Sequence, residues 1–277
     1  MKRFNTSDFS AKKQAGQRIT MLTAYDYATA RTMDEAGIDS ILVGDSLGNV
    51  VLGYETTIPV TLDDMLHHTK AVARGARHAL VIGDMPFLTY HTGAADALRN
   101  AGRFLQEAGA QAVKLEGGKE RAEVVRTLVE AGIPVVGHLG LTPQSVLQLG
   151  GFKVQGKTEE AANKLIEDAL ALQDAGVFAI VLELIPAPLA ETVTGKLKVP
   201  TIGIGAGLGC DGQVLVSHDL LGINGTKVPK FVKQYCNFQE QMLEAFRAFK
   251  HDVEQGAFPA REHSFGLAEN QEVAKLY

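Results

Sequence analysis

The chain has 277 residues, of which 45% are hydrophobic and 21% charged, and its formal net charge is −5. This length is close to the ~250 residues of a typical (β/α)8 barrel and allows a single large core. The negative charge argues against nucleic-acid or membrane-surface partners, which usually bind a basic face, and no apolar run approaches the ~20 residues of a membrane span.

Short apolar runs recur along the chain, each bounded by Gly, Pro or a polar residue. They are rich in Val, Ile and Leu without clean alternation, as is typical of parallel strands buried on both faces. The predicted strands, in chain order, are residues 19–25, 40–44, 79–83, 112–115, 133–137, 178–182, 199–204 and 213–216.

Amphipathic segments separate these strands and predict helices over residues 28–36, 61–74, 94–108, 119–131 and 158–175. A glycine follows each of them, which fits the left-handed position that ends many helices. A further amphipathic stretch, residues 228–252, would be the last helix. Eight strands alternating with helices form either a closed parallel barrel or an open doubly wound sheet. Evenly recurring units favour a (β/α)8 TIM barrel in one domain over residues 1–265, with a C-terminal tail at 266–277.

Polar side chains stand where six successive predicted strands end. Parallel barrels carry their chemistry at the carboxyl ends of the strands, so these positions are the candidate site. They are Tyr25-Asp26, Asp45-Ser46, Asp84, Lys114 with Glu116, His138, and Glu183. Because side chains alternate along a strand, Lys114 and Glu116 point the same way.

Carboxylates gathered at one end of a barrel repel one another unless a cation lies between them. Asp45, Asp84 and Glu116 offer hard oxygen ligands, which favour magnesium or manganese over zinc or copper. Such an ion would bind a 2-oxo acid through its carboxylate and keto oxygens and stabilise its enolate. Lys114 would pair with the substrate, and Glu183 is the candidate proton acceptor.

Structural interpretations compete with these roles. A strand-end Asp can equally be a helix N-cap, and Lys114 could form a structural ion pair with Glu116. His138 is expected to hydrogen-bond the backbone. The glycine-rich string at 203–209 follows the seventh strand rather than the first strand of a βαβ unit, so we interpret it as part of the barrel rim.

Only two cysteines occur, Cys210 and Cys236, which are too few for a disulfide framework. The first residues lack the apolar stretch of a signal peptide. Together these features predict a cytoplasmic protein.

At these positions the sequence closely resembles the ketopantoate hydroxymethyltransferase family of pantothenate biosynthesis, from about residue 4 to residue 265. The phrases that carry the resemblance are Gly-Asp-Ser-Leu-Gly at 44–48, Gly-Asp-Met-Pro-Phe at 83–87, Lys-Leu-Glu-Gly-Gly at 114–118, Gly-His-Leu-Gly-Leu-Thr-Pro-Gln at 137–144, and Leu-Glu-Leu-Ile-Pro at 182–186. No motif position departs from the pattern, and only the tail from Gly266 lacks a counterpart.

The resemblance implies a barrel of the phosphoenolpyruvate mutase/isocitrate lyase superfamily. It also implies transfer of a hydroxymethyl group from 5,10-methylenetetrahydrofolate to 3-methyl-2-oxobutanoate, giving 2-dehydropantoate through a Mg-stabilised enolate. By this resemblance Asp45, Asp84 and Glu116 surround one Mg²⁺ per subunit, with Glu116 reaching it either directly or through water. Asp45, Ser46, Asp84 and Lys114 contact the oxo acid, and Glu183 accepts the proton. The family forms cytoplasmic homo-oligomers, commonly decamers.

Two other functions are weighed against this one. A Mg-dependent C–C lyase of the same superfamily would resemble its relatives around a Lys-Lys-Cys-Gly-His loop, which this sequence lacks. A non-catalytic, metabolite-binding barrel would be expected to have lost these carboxylates, whereas six polar strand ends are present here.

Overall fold

Eight parallel strands form a closed barrel in the computed structural model, which describes residues 3–225 and 228–266. Neighbouring strands follow chain order, and β8 pairs with β1 to close the sheet. The strands are β1 Ile19–Thr23, β2 Ser40–Val43, β3 Leu80–Asp84, β4 Ala112–Glu116, β5 Val135–Gly140, β6 Ala179–Glu183, β7 Thr201–Ile204 and β8 Gly212–Leu215. The closed barrel confirms the predicted fold class and is not the open sheet. The boundary at residue 265 stays a prediction, because tail residues 267–277 lie outside the described residues.

Helices cover the barrel and join its strands. They are α1 Thr6–Gln14, α2 Tyr27–Glu35, α3 Leu47–Val50, α4 Leu62–Gly75, α5 Ala94–Gln106, α6 Ala122–Glu130, α7 Val146–Leu149, α8 Glu159–Ala175, α9 Ala187–Lys196, α10 Ser217–Leu221 and α11 Phe238–Glu254. Within the described residues, 3₁₀ turns occur at Lys119–Arg121, Pro143–Ser145 and Arg261–His263. No helix in the described part of the chain is long and apolar enough to cross a membrane.

The last helix begins ten residues later than the predicted start at 228. Residues 228–236 form turns and irregular structure, in which the Val232 N–H donates to the Pro229 carbonyl and the Tyr235 N–H to the Leu220 carbonyl, each at 2.9 Å. Asn237 instead caps α11, since its side chain accepts a hydrogen bond from the Glu240 N–H. The prediction of a helix from residue 228 is therefore wrong at its start.

The short helix α1, which the sequence pattern did not predict, lies at the end of the barrel where the strands begin. Phe9 is fully buried with the inward side chains of the strands and meets the Phe178 ring edge-on at 5.1 Å. Lys12 Nζ lies 2.6 Å from Asp39 Oδ2 and Lys13 Nζ 2.7 Å from Asp211 Oδ2, next to the starts of β2 and β8. We infer that α1 covers this end of the barrel, which leaves the carboxyl ends of the strands as its mouth.

Candidate active site

One cavity of about 100 Å³ lies at the carboxyl ends of the strands, and the predicted site residues line it together. They are Asp45, Ser46, Asp84, Lys114, Glu116 and Glu183, with His138 among them. Asp26 is not among the residues that line this cavity. Its carboxylate accepts the Thr29 N–H at 2.9 Å and caps α2, so the N-cap interpretation holds at that strand end.

Three carboxylates, those of Asp45, Asp84 and Glu116, are almost fully buried in this cavity. Burial, followed by the negative charges of Asp84 and Glu116, raises the pKa of Asp45 well above its usual range, although Lys114 and Gln144 oppose the shift. The Asp45 N–H donates to Asp84 Oδ2 at 3.1 Å, which joins the ends of β2 and β3. A cation between these groups would relieve their repulsion.

Lys114 supplies a buried positive charge to the same cavity. Its Nζ lies 2.8 Å from Asp84 Oδ1, so the ion pair that the structure shows is with Asp84 rather than with Glu116. Burial lowers the pKa of Lys114, but the negative charges of Asp84, Glu116 and Asp45 outweigh this and raise it. The side chain therefore carries a fixed positive charge at neutral pH.

His138 contacts side chains on its two neighbouring strands, β4 and β6, instead of the backbone acceptor that the sequence analysis expected. Nδ1 lies 3.3 Å from Lys114 Nζ and 3.4 Å from Glu116 Oε1, while Nε2 lies 3.1 Å from Glu183 Oε2. Burial and the charge of Lys114 lower the pKa of His138, but its contacts with Glu116 and Glu183 prevail and raise it to about 9. The ring thus connects the carboxylate cluster with Glu183.

Glu183 ends β6 and is the most accessible of these carboxylates. Its side chain is 16% exposed, against 2% for Asp84 and 3% for Glu116. Its carbonyl accepts the Leu141 N–H at 2.8 Å, and β5 approaches it closely at Gly140, where φ is +95° and a Cβ would lie 2.1 Å from the Glu183 oxygen. Only glycine suits that contact. The backbone is therefore held in place, while the carboxylate reaches the cavity.

Three polar residues of the site have no role in the sequence-based prediction. The Tyr25 hydroxyl lies 2.9 Å from Ser46 Oγ, and the Tyr90 hydroxyl donates to Gln144 Oε1 at 2.6 Å. Gln144 in turn contacts both Asp45 and Glu116. Gln144 stands inside a quoted motif and Tyr25 at the end of a predicted strand, but no spacing indicates these partners. Tyr90 lies in a loop with no periodic pattern.

The carboxylates fit a hard divalent cation. The protein supplies a donor to one oxygen of each: Oδ2 of Asp45, Oδ2 of Asp84 and Oε2 of Glu116. The second oxygens of Asp84 and Glu116 face cationic side chains rather than backbone donors: Asp84 Oδ1 lies 2.8 Å from Lys114 Nζ, and Glu116 Oε1 lies 3.4 Å from His138 Nδ1. Within residues 3–225 and 228–266, no group of three or more His, Cys, Asp or Glu side chains is placed to hold a metal ion by itself. A cation here would thus complete its shell with water or substrate oxygens, as magnesium usually does.

Enzymes of known structure have the same barrel fold. A crystal structure of phosphonopyruvate hydrolase in complex with oxalate and Mg²⁺ superposes with a TM-score of 0.60, at 14% sequence identity, over 93% of this chain and 92% of that one. For 2,3-dimethylmalate lyase, a member of the PEP mutase/isocitrate lyase superfamily, the TM-score is 0.54 at 17% identity, over 96% and 91% of the two chains. At these identities the likeness shows the fold alone, a barrel that this chain shares with both enzymes.

Closer relatives give the family. The family model of ketopantoate hydroxymethyltransferase matches residues 3–261. The 3-methyl-2-oxobutanoate hydroxymethyltransferase of Syntrophus aciditrophicus is 58% identical over 264 residues, covering 95% of this chain and 97% of the relative. That of Syntrophomonas wolfei is 58% identical over 269 residues, covering 97% and 98%. The chain belongs to the ketopantoate hydroxymethyltransferase family, which confirms the predicted resemblance and makes the protein an enzyme of the transferase class.

Proposed function

We propose that the enzyme transfers a hydroxymethyl group from 5,10-methylenetetrahydrofolate to 3-methyl-2-oxobutanoate and gives 2-dehydropantoate in pantothenate biosynthesis. Family membership and the names of the relatives support this reaction. The observation that carries it is the buried cluster of Asp45, Asp84 and Glu116, with Lys114 on one side and the accessible Glu183 nearby.

Asp45 and Asp84 would hold one Mg²⁺ per subunit, and Glu116 would complete the anionic side of the site either directly or through water. Such an ion would supply Lewis-acid chemistry, which would make the C3 hydrogen of a bound oxo acid more acidic. The three buried carboxylates are the features of the chain that support this assignment.

The chain's own residues bind the oxo acid and move its proton. The positive charge of Lys114 pairs with the substrate's anionic oxygens, and Ser46, held by the Tyr25 hydroxyl, offers a further hydrogen bond, while Asp45 and Asp84 contact the oxo acid beside the ion. Glu183 takes the proton from C3, and the C3 electron pair forms the new bond to the methylene carbon of the folate. Water supplies the hydroxyl oxygen of the product as the bonds from that carbon to N5 and N10 break. The C3 proton and one proton of the water end on these two nitrogens of tetrahydrofolate. His138, 3.1 Å from Glu183, orients the accepting carboxylate.

The cavity is large enough for only one of the two substrates. About 100 Å³ is enough for a small branched oxo acid but not for a folate. The folate would therefore bind at the mouth of the barrel, beside the loops that follow the strands.

Product analysis tests this proposal against its two alternatives. The protein, Mg²⁺, 3-methyl-2-oxobutanoate and 5,10-methylenetetrahydrofolate are expected to yield 2-dehydropantoate and tetrahydrofolate in equal amounts, as measured by mass spectrometry. A C–C lyase would cleave larger 2-hydroxy or 2-oxo acids and make no 2-dehydropantoate. A binding barrel would retain the oxo acid without converting it.

We also propose that the protein works as a cytoplasmic homo-oligomer, with the decamer as the expected form. None of the residues of α11, all of which are described, is buried in the single chain. Large apolar side chains follow one another at intervals of three or four along one face of it: Phe238, Met242, Phe246, Phe249 and Val253. Such a face is costly in water and is typical of a helix that packs against a partner.

The free Cys210 and Cys236 are compatible with a reducing compartment.

Replacing Phe246 and Phe249 together by glutamate should lower the mass of the assembly, because two charges would have to be buried at the contact. Light scattering coupled to size-exclusion chromatography measures that mass. The matched control places two glutamates at Arg247 and His251, on the opposite face of the same turns. An unchanged mass in the first variant, with helix content intact by circular dichroism, would contradict assembly through α11.

A further inference from the structure

Gln144 lies at the centre of the buried cluster but on none of the barrel strands. It sits in the 3₁₀ turn Pro143–Ser145 after β5 and is 4% exposed. Its neighbours come from three other loops or strand ends: Asp45 after β2, Tyr90 after β3, and Glu116 at the end of β4. A polar side chain this deeply buried persists only if its hydrogen bonds are satisfied.

Every polar group of the Gln144 side chain has a partner. Nε2 donates to Asp45 Oδ2 at 2.9 Å and to the Met85 carbonyl at 3.0 Å, while Oε1 accepts the Tyr90 hydroxyl at 2.6 Å. The orientation of the amide follows from these partners, because a carbonyl can only accept. The Tyr90 hydroxyl itself accepts the Glu116 N–H at 3.2 Å, which leaves its proton for Gln144.

The backbone of the same residue holds a second carboxylate. The Gln144 N–H donates to Glu116 Oε2 at 3.1 Å. One residue thus fixes one oxygen each of Asp45 and Glu116, while Glu116 Oε1 has only the longer contact of 3.4 Å with His138 Nδ1. The hydrogen bonds therefore set the direction of the two carboxylates and leave their other oxygens for a ligand.

We propose that Gln144, supported by the Tyr90 hydroxyl, is a positioning residue for the divalent cation. It holds Asp45 and Glu116 in the orientation in which their remaining oxygens bind the ion, and it links the loop after β5 to the metal site. This inference rests on the proposed function, which supplies the cation. A purely structural role would make Gln144 important for folding but not for the affinity of the folded protein for Mg²⁺.

Measuring Mg²⁺ binding distinguishes a positioning role of Gln144 from a purely structural one. Isothermal titration calorimetry of the full chain with Mg²⁺ alone should show that Gln144→Met raises Kd about 10- to 100-fold, the range found when groups that support metal ligands are removed. Methionine keeps the length and bulk of the side chain and removes all three hydrogen bonds of the amide. The matched control is Gln155→Met in the same loop, whose side chain bonds only the Lys153 carbonyl and which should bind Mg²⁺ like the wild type.

Tyr90→Phe provides a second variant, since it keeps the ring and removes only the hydroxyl that orients Gln144. We expect a smaller rise in Kd. The Mg²⁺ concentration for half-maximal activity should rise in parallel in both variants, and activity should recover at high Mg²⁺, which a folding defect would not allow. Thermal unfolding in EDTA shows whether each variant is folded.

Two outcomes would overturn the inference, and they differ in what else they overturn. If the wild type binds Mg²⁺ and the folded Gln144→Met and Tyr90→Phe variants bind it equally well, only the positioning role fails. If the wild type binds no Mg²⁺, the proposed metal site and the role of Gln144 fail together.

Discussion

Replacing Glu183 by glutamine should lower the rate of hydroxymethyl transfer by about 10²- to 10⁴-fold, the usual contribution of a positioned general base. Glutamine keeps the size of the side chain but cannot accept the C3 proton. Because Glu183 lies on the far side of His138 from the cluster, its loss should leave the Kd for Mg²⁺ nearly unchanged. The measurement is kcat with both substrates saturating, together with a Mg²⁺ titration.

Glu130→Gln, at an exposed position at the end of α6, is the matched control and should retain wild-type kcat. A Glu183→Gln enzyme with kcat close to that of the wild type would exclude Glu183 as the proton acceptor.

Replacing Asp84 by alanine should weaken the binding of Mg²⁺ and of the oxo acid together. Asp84 Oδ2 accepts the Asp45 N–H, and Oδ1 faces Lys114, so one side chain connects two groups that the proposed chelate needs. We expect each Kd to rise by more than about 100-fold, since groups that merely support metal ligands already contribute 10- to 100-fold. Calorimetry measures Mg²⁺ binding alone and oxo-acid binding in the presence of Mg²⁺.

Asp84→Asn distinguishes the charge from the shape of the side chain. It keeps an oxygen for the Asp45 N–H but removes the negative charge beside Lys114, so it should also lose Mg²⁺ while disturbing the fold less. Weakened binding of only one of the two ligands, in either variant, would contradict a chelate in which they share Asp84.

The fold was predictable where the chain repeats itself. Each short apolar run predicted a strand, and the closed barrel follows from eight such runs that alternate with helices. The pattern did not reveal α1, because only Phe9 of this helix is buried and no apolar periodicity marks it. It did reveal the amphipathic α11 but not the residue at which that helix begins.

The site was predictable as far as it consists of strand ends. Asp45, Asp84 and Glu116 were identified from position alone, because parallel strands end on the same side of a barrel. The partners of His138 could not be predicted. They depend on the register that sets Glu116 opposite His138 and Gly140 opposite Glu183, which the sequence pattern leaves open.

The contacts of Gln144 and Tyr90 could not be predicted from the sequence either. Their contacts arise where loops from β3 and β5 fold over the cluster, and no periodic pattern describes the approach of two loops. The glutamine stands within a motif that gave the family, but the motif itself does not indicate which atoms it bonds.

Exchange of the C3 hydrogen of 3-methyl-2-oxobutanoate for deuterium, followed by NMR in D₂O without folate, tests enolate formation most directly. The proposed site predicts exchange that depends on Mg²⁺, stops when EDTA removes the ion, and is nearly absent in Glu183→Gln. Exchange at an undiminished rate in EDTA, or in Glu183→Gln with Mg²⁺ present, would contradict a metal-assisted proton transfer to Glu183.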